Sequence, residues 1–448
     1  MHLGCARNLI DSEGILARLA EEGCVIAGDL AQADVAVLNT CSFIGPAREE
    51  SEQSLQDLLA RKRRGELAAV VVAGCLVQRY RNALAARFPE VDLFAEISDY
   101  RELARAVANL ERGAAGPRYL AAGGLRAPER EGPRLLATPA SYAYLRISHG
   151  CDHTCSFCAI PAIRGPHRSK PLAALRDEAR ELIDAGRKEL VLVAEDSTAW
   201  GLDLGLDLPR LVEELAELEG DHRLRIMYAY PNRFPWGLLP LLREHPRVLP
   251  YLDIPVQHVS TRILQAMRRG GTGASVRRTL DRLREGVPGI ALRTTLLVGF
   301  PGETDEDAAA LAAFVSEYEL ARMGAFLYSP EEGTGALALG GEVPVAVAEE
   351  RLAALFAARD AALAAAQSAL RGEEVEVLVD ERNGDGVRGR TPWDAPEVDL
   401  EVELPGVAAA PGDRLRAIVT GVGPEFDLIG ELAGPPDPSW SGPSEGRR

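Results

Sequence analysis

The chain contains three closely spaced cysteines, Cys151, Cys155 and Cys158, in a CxxxCxxC pattern. A cube-shaped iron–sulfur cluster takes one protein ligand on each of its four irons. Three thiolates would therefore leave one iron open, where a small molecule could bind and react. The alternative is a structural zinc site with His149, His153 or His167 as the fourth ligand. Structural zinc sites usually combine paired CxxC or HxxxH elements, so this spacing favours the cluster.

Three further cysteines lie at the ends of short segments in the first part of the chain. Cys41 and Cys75 each follow an apolar run with the pattern of a buried strand, and Cys5 follows Leu3-Gly4. In open α/β sheets, ligands bind beyond the carboxyl ends of the strands. We therefore expect these three thiols to converge and to hold a second cluster. The alternative is that each is a small buried residue, which is our interpretation of Cys24 alone.

Strands and helices alternate around both sets of cysteines, which predicts an α/β fold with several domains. The pattern of residues 1–112 predicts a Rossmann-like parallel α/β domain. The composition of residues 113–136, rich in Gly, Pro and Arg, predicts a linker. Residues 137–367 repeat a βα pattern typical of a full or partial TIM-like barrel. Residues 368–434 predict a small β-barrel of about five strands, and residues 435–448 predict a disordered tail. In TIM-like barrels the chemistry is located at the C-terminal strand ends, and the CxxxCxxC motif follows the first predicted strand.

Composition and charge limit the classes of function. The content of 46% hydrophobic and 26% charged residues is that of a soluble globular protein. No apolar run approaches the roughly 20 residues of a membrane helix, and no secretion signal is recognisable, so we expect a cytoplasmic location without a membrane partner. An odd number of cysteines, seven, argues against a disulfide framework. The net charge of −17 favours a basic partner over a phosphate backbone.

The residues around the cysteines resemble the radical S-adenosylmethionine (SAM) methylthiotransferase family over nearly the whole chain. The resembling segments are GCARNLIDSE at 4–13, NTC at 39–41, GCDHTCSFCAIP at 150–161, YLDIPVQH at 251–258, MRRGG at 267–271, VGFPGET at 298–304, YSPEEGT at 328–334 and GRTPWDAPE at 389–397. The last two segments resemble the protein-modifying RimO branch more than the tRNA-modifying branch. The resemblance implies an N-terminal methylthiotransferase domain, a radical SAM core and a TRAM domain, in that order.

The sequence departs from the family pattern at a few places. Glu195 stands where we expect glutamine, and Ala162-Ile163 replaces a more usual pair after the third cysteine of the motif. The turn at His2 follows Met1 directly, without the strand that should lead into it, and we expect the native chain to begin upstream. None of these departures removes a cysteine.

The resemblance implies methylthiolation of the β-carbon of an aspartate in small-subunit ribosomal protein twelve. It implies two 4Fe–4S clusters, one held by Cys151, Cys155 and Cys158 and one by Cys5, Cys41 and Cys75. SAM would bind at the first cluster, and the sulfur to be transferred would be carried at the second. One SAM would methylate that sulfur and another would be cleaved to the radical that removes the target hydrogen. The implied SAM contacts, which could instead be ordinary strand or helix caps, are Phe157, Asp196, Gln257, Thr295 and Gly299.

The C-terminal region bears on the substrate. Residues 371–434 contain six Arg, no Lys and fifteen Asp or Glu, and such a surface favours a basic ribosomal protein as partner, unless it is only a solvated face. Arg388 and Arg390 are candidates to bind the substrate carboxylate, with salt bridges to neighbouring acids as the alternative.

Two other functions remain open at this point. A tRNA adenosine methylthiotransferase would need a basic groove and would bind in a strongly salt-dependent way. A non-catalytic iron–sulfur redox or RNA-binding protein would hold clusters without cleaving SAM. An electron donor is an expected partner in either enzymatic case; the sulfur donor and the oligomeric state are not predictable from the sequence.

Overall fold

The computed structural model describes residues 1–111, 116–122 and 132–434. These residues form two larger parallel sheets, a small closed barrel and a two-stranded ribbon, which confirms the predicted α/β class. The predicted disordered tail at 435–448 and much of the predicted linker lie outside the described residues. No helix in the described ranges is long and apolar enough to cross a membrane.

The first part of the chain forms a parallel sheet covered by helices on both faces. Its elements are α1 (Ala6–Glu21), β1 (Val35–Thr40), α2 (Gly45–Arg63), β2 (Ala69–Gly74), α3 (Cys75–Arg87), β3 (Leu93–Ala95), α4 (Arg101–Glu111) and β4 (Tyr119–Leu120). The strands are ordered β1-β2-β3-β4, and β4 lies within the segment predicted as a linker. Alternate residues of a strand point to opposite faces, so Val70 and Val72 pack on one side of the sheet and Val71 and Ala73 on the other.

The middle part forms a six-stranded parallel sheet with the order β12-β11-β10-β9-β8-β5. Its strands, with the ribbon β6–β7, are β5 (Tyr142–Arg146), β6 (Ser148–His149), β7 (Arg168–Ser169), β8 (Glu189–Val193), β9 (Arg223–Ile226), β10 (Val248–Asp253), β11 (Ala291–Val298) and β12 (Arg322–Leu327). The helices are α5 (Ile160–Arg164), α6 (Leu172–Asp184), α7 (Leu208–Ala216), α8 (Leu238–Glu244), α9 (Thr261–Ala266), α10 (Gly273–Gly286), α11 (Asp305–Glu317) and α12 (Val345–Ala369). This is the partial TIM-like barrel that the βα repeat predicts.

The C-terminal part forms a closed five-stranded barrel. Its strands are β13 (Glu374–Asn383), β14 (Gly386–Arg390), β15 (Val402–Leu404), β16 (Arg414–Val422) and β17 (Leu428–Gly434), in the order β13-β14-β15-β17-β16. Its interior shares one hydrophobic cluster with the inner face of the parallel barrel, where Val377 and Trp393 belong to the same cluster as Tyr144 and Tyr251. The small barrel is therefore packed against the larger one and contributes to its lining.

Candidate functional site

The first set of cysteines converges at the carboxyl edge of the N-terminal sheet. Cys41 directly follows β1, and Cys75 directly follows β2, whose last residue pairs with the last residue of β1. Cys5 is the N-cap of α1. The turn before it is tight, because Gly4 has a φ of +97° and a Cβ there would lie 2.7 Å from the Cβ of Cys41. The three thiols therefore lie together, as the strand-end pattern predicts.

Burial and charge act differently on these three thiols. Burial, together with the charge of the neighbouring Cys75, raises the pKa of Cys41 to about 11. Burial also raises the pKa of Cys75. Burial alone would raise the pKa of Cys5, but the guanidinium groups of Arg7 and Arg164 outweigh it and hold that pKa below its usual value. The mutual influence of the thiols shows their proximity, and a thiolate set of this kind suits a soft metal centre.

The second set of cysteines lies on the loop between β6 and α5, at the carboxyl side of the first barrel strand. The backbone N–H of Cys151 donates to the carbonyl of Gly165 at 3.1 Å, and that of Cys158 donates to the carbonyl of Cys155 at 3.1 Å. Gly150, with a φ of +76°, is required here because a Cβ would lie 2.1 Å from the carbonyl oxygen of Pro166. Burial raises the pKa of Cys151 to about 12 and that of Cys158 to about 11.

Two of the three histidines considered for a zinc site, His153 and His167, have other partners. Nε2 of His153 lies 2.7 Å from Oδ2 of Asp196, and its ring stacks on Tyr230 at 3.8 Å between centroids. Nε2 of His167 lies 3.1 Å from the hydroxyl of Ser169. Among the described residues, no three His, Cys, Asp or Glu side chains are close enough to hold one metal ion. A cluster binds each cysteine through a different iron, so its ligands stand farther apart than those of a single zinc.

Both sets belong to one junction between the N-terminal sheet and the barrel. Cys75 packs against Ala159 and Ile163, which directly follow the second set. The positive charge of Arg7 acts on both Cys5 and Cys158, and at Cys158 it only partly opposes the effect of burial on the pKa. The donor chemistry and the shared junction fit two clusters, each held by three cysteines.

Arginines that the sequence did not single out contact each set. Nη2 of Arg164 lies 3.4 Å from Sγ of Cys75, and Nη1 of Arg269 lies 3.8 Å from Sγ of Cys155. The guanidinium of Arg7 stands over the ring of Tyr228 and donates to the carbonyl of Ala194 at 2.8 Å. The only signal in the sequence is position, since Arg7 follows Cys5 by two residues and Arg164 follows Cys158 by six.

A cavity of about 220 Å³ opens beside Cys5. Its wall combines the N-terminal turn, the inner face of the partial barrel and a loop of the small barrel, with the lining residues Gly4, Cys5, Ala6, Tyr144, Val191, Val193, Met227, Tyr228, Pro396, Glu397 and Val398. Glu397 has a φ of +67° and accepts hydrogen bonds from the hydroxyls of Tyr142 and Tyr144. A strained conformation held by two hydrogen bonds beside a candidate site is a feature of constrained functional loops.

The predicted SAM contacts lie at the carboxyl ends of the barrel strands in two groups. The backbone N–H of Gln257 donates to the carbonyl of Thr295 at 2.8 Å, and Phe157 packs against the small hydrophobic cluster that includes Leu297. Gly299 directly follows β11. Asp196 lies after β8, where Oδ1 accepts from the N–H of Thr198 and Oδ2 faces His153. The roles of these residues toward SAM stay predictions.

The two arginines considered for a substrate carboxylate are both paired with acids of this chain. Arg390 is buried and donates to both Asp380, at 2.6 Å, and Glu189, so its proposed contact with a substrate carboxylate is wrong. Arg388 is partly exposed and pairs with acids of neighbouring strands, as the salt-bridge alternative described.

Glu195, the departure from the family pattern, lies 3.9 Å from Arg7, and its Oε2 is buried without a hydrogen-bond partner in the described part of the chain.

Comparisons with known proteins define the class first. The chain matches the family models "Radical SAM superfamily" over residues 145–315, "Uncharacterized protein family UPF0004" over residues 1–96 and "TRAM domain" over residues 372–433. Among solved structures, it is similar to the radical S-adenosylmethionine methyltransferase TsrM from Kitasatospora setae, with a TM-score of 0.52 and 18% identity over 73% of this chain and 74% of that one. At this identity the likeness shows the fold alone.

Similar proteins identify the family more narrowly than the domain models do. Two proteins named "Ribosomal protein uS12 methylthiotransferase RimO" are similar along nearly their whole length. The one from Anaeromyxobacter sp. (strain K) is 42% identical over 96% of this chain and 92% of its own, and the one from Geobacter sulfurreducens is 39% identical over 96% of this chain and 97% of its own. The chain therefore belongs to the RimO family of radical SAM methylthiotransferases.

Proposed function

We propose that this chain methylthiolates the β-carbon of an aspartate in ribosomal protein uS12. The observation that carries the proposal is the convergence of two three-cysteine sets on one junction, in a chain of the RimO family. Each set offers one thiolate fewer than a 4Fe–4S cluster has irons, so each site retains one iron for a ligand that is not protein.

The six cysteines form two separate centres with different roles. Cys151, Cys155 and Cys158 hold the cluster at which SAM binds, with Phe157, Asp196, Gln257, Thr295 and Gly299 as its neighbours, and Cys5, Cys41 and Cys75 hold the second cluster. An aliphatic C–H bond gives up no proton to a side chain, and acid–base help of about 10²–10⁴-fold is too small for it. The bound cofactors supply the electron, radical and sulfur chemistry that side chains lack.

The balance of the reaction defines what must be supplied. The target carbon loses one hydrogen, which leaves as part of 5′-deoxyadenosine from one SAM, and methionine is the other product of that cleavage. The carbon gains an SCH₃ group, whose methyl comes from a second SAM that leaves as S-adenosylhomocysteine. A donor supplies the sulfur at the oxidation level of sulfide, and an external donor supplies the electron that cleaves SAM. One electron is released again when the carbon radical forms its bond to the methylated sulfur, so the overall conversion consumes no net electron and releases one proton. The cavity beside Cys5 gives the target side chain room next to the sulfur-bearing centre.

The acidic small barrel supports a protein substrate. Residues 371–434 carry fifteen Asp or Glu against six Arg, and a surface of this sign attracts a basic ribosomal protein and repels a phosphate backbone. We further infer that residues 1–112, 137–367 and 368–434 act as three domains and that the protein works in the cytoplasm, where ribosomal proteins are found.

Mass spectrometry of uS12 from cells with and without this gene tests the proposal. The expected result is one aspartate whose mass is higher by an SCH₃ group less one hydrogen, only when the chain is present. In a purified system, Cys41→Ala should abolish this product while SAM cleavage continues, because only the second centre is lost. A methylthio group on tRNA adenosine with unmodified uS12 would establish the first alternative. Intact clusters that never yield 5′-deoxyadenosine with SAM and reductant would establish the non-catalytic alternative.

A further inference from the structure

We propose that Arg164 is a positioning residue that ties Cys75 to the barrel and raises the reduction potential of the cluster at Cys5, Cys41 and Cys75. The inference rests on the second cluster of the proposed function. It concerns a residue of the barrel that acts on a centre held by the N-terminal sheet.

The guanidinium of Arg164 joins two groups from the other side of the junction. Arg164 is the last residue of α5, which begins two residues after Cys158. Its Nη1 donates to Oδ2 of Asp11 at 2.8 Å, and its Nη2 lies 3.4 Å from Sγ of Cys75. The Arg164 side chain is only 4% exposed. A planar guanidinium can serve two acceptors at once from one fixed orientation.

A second arginine fixes Asp11 itself. Nη2 of Arg146, at the end of β5, donates to Oδ1 of Asp11 at 2.8 Å, and neither side chain is exposed to solvent. Both carboxylate oxygens of Asp11, a residue of α1, therefore accept hydrogen bonds from arginines of the barrel. Removing one partner of such a buried group is expected to be costly, because the remaining charge stays in a medium that solvates it poorly.

The guanidinium of Arg164 brings a positive charge to the second centre. A guanidinium stays protonated in a protein, and Nη2 of this buried side chain lies 3.4 Å from Sγ of Cys75. In a buried site such a charge is screened far less than at the surface.

The same charge must act on a bound cluster. Reduction adds one negative charge to the cluster, and hydrogen bonds to its sulfurs and nearby positive charge stabilise the reduced form. Arg164 is therefore expected to raise the potential of the second centre. Because Arg164 belongs to the barrel, this effect exists only while the two domains are docked.

The test uses the full chain with Cys151→Ala, Cys155→Ala and Cys158→Ala, so that one cluster remains. Anaerobic reconstitution should give about four irons per chain, and an EPR-monitored redox titration gives the potential. Into this parent we introduce Arg164→Gln, Arg164→Lys and, as a docking control, Arg48→Gln. Arg48 pairs with Glu331 across the same junction at 3.3 Å, so the control removes a cross-domain contact without touching Arg164.

The expected result is a more negative potential for Arg164→Gln, a smaller shift for Arg164→Lys, which keeps the charge but not both contacts, and no shift for Arg48→Gln. Loss of iron from Arg164→Gln but not from Arg48→Gln also supports the tie to Cys75, and Arg164→Lys then reports the potential. An unchanged potential with full iron in Arg164→Gln overturns the inference and leaves the proposed function intact. A parent that binds no iron overturns the second cluster, and with it both proposals.

Discussion

At the scale of single residues, Gly4 shows how closely the backbone constrains the first set of cysteines. Its φ of +97° and the 2.7 Å approach to the Cβ of Cys41 leave no room for a side chain. We expect Gly4→Ala to introduce about 1–3 kcal/mol of strain and to displace Cys5 or Cys41. Iron analysis after reconstitution should fall from about eight to about four atoms per chain.

Gly14→Ala is the matched control, because Gly14 lies inside α1 with no atom within 4 Å of an added Cβ. It should retain all the iron and gain up to about 1 kcal/mol of stability from better helix propensity. Full iron content in Gly4→Ala would mean that the turn is not what brings these thiols together.

His258 provides a prediction about pH. Burial lowers its pKa to about 4, against an ordinary value of 6.5. Below pH 6.5 the unfolded chain takes up a proton that the folded chain refuses, so stability present above that pH is lost as the pH falls from about 6.5 to about 4. The loss attributable to this residue is on the order of 3 kcal/mol.

The measurement compares urea unfolding midpoints at several pH values for the natural chain and His258→Asn, whose amide oxygen can replace Nδ1 as acceptor for the N–H groups of Val259 and Ser260. The pH dependence should be weaker in His258→Asn. A variant at the partly exposed His245, His245→Asn, serves as control. Parallel pH profiles for His258→Asn and the natural chain would rule out this assignment.

The chemistry-bearing cysteines could be predicted from the sequence, but their partners could not. Cys41 and Cys75 follow recognisable strands, and parallel strands bring their ends to one edge. Asp11 and Arg164 are 153 residues apart, and nothing in a sequence tells a buried charged pair from two solvated side chains. Arg390 was misinterpreted for the same reason, since its type suits a carboxylate but its burial was not visible.

At the scale of secondary-structure elements, β13 and β14 attach the small barrel to the larger one through buried charges. Arg390, on β14, donates to Asp380 of β13 and to Glu189 of β8, and the hydroxyl of Ser141 donates to Asp380 at 2.5 Å. This arrangement is a structural connection between the two barrels. It explains why the loop that follows β14 reaches the cavity beside Cys5 in a fixed position.

We therefore expect Arg390→Met to be strongly destabilising, by about 3–5 kcal/mol, because it leaves buried carboxylates without their cation. The matched variant Arg388→Met removes a partly exposed arginine from the same strand and should cost about 1 kcal/mol or less. Urea unfolding of both variants gives the comparison. Equal, small effects would mean that the buried network contributes little to holding the small barrel.

At the scale of the whole molecule, the distribution of charge should govern how the substrate is captured. Asp385 and Glu425 are exposed on the small barrel, away from the cysteines in sequence. We expect Asp385→Lys with Glu425→Lys to weaken binding of uS12 by roughly tenfold at low salt, because each rim charge contributes about 0.5–1 kcal/mol. The loss should appear as a higher KM for uS12, while the rate of SAM cleavage without uS12 stays unchanged.

Salt separates this effect from damage to the fold. At about 1 M salt the screening length is about 3 Å, so the charge-swapped and natural chains should bind uS12 equally weakly. The control is Asp184→Lys, at the exposed end of α6. It changes the charge of the larger barrel and not of the small one, and it should leave the KM for uS12 close to that of the natural chain. If Asp184→Lys weakens uS12 binding as much as the swap on the small barrel, the attraction is a property of the net charge of −17 and not of the small barrel. The small barrel would then serve only to line the cavity, through the loop that carries Glu397.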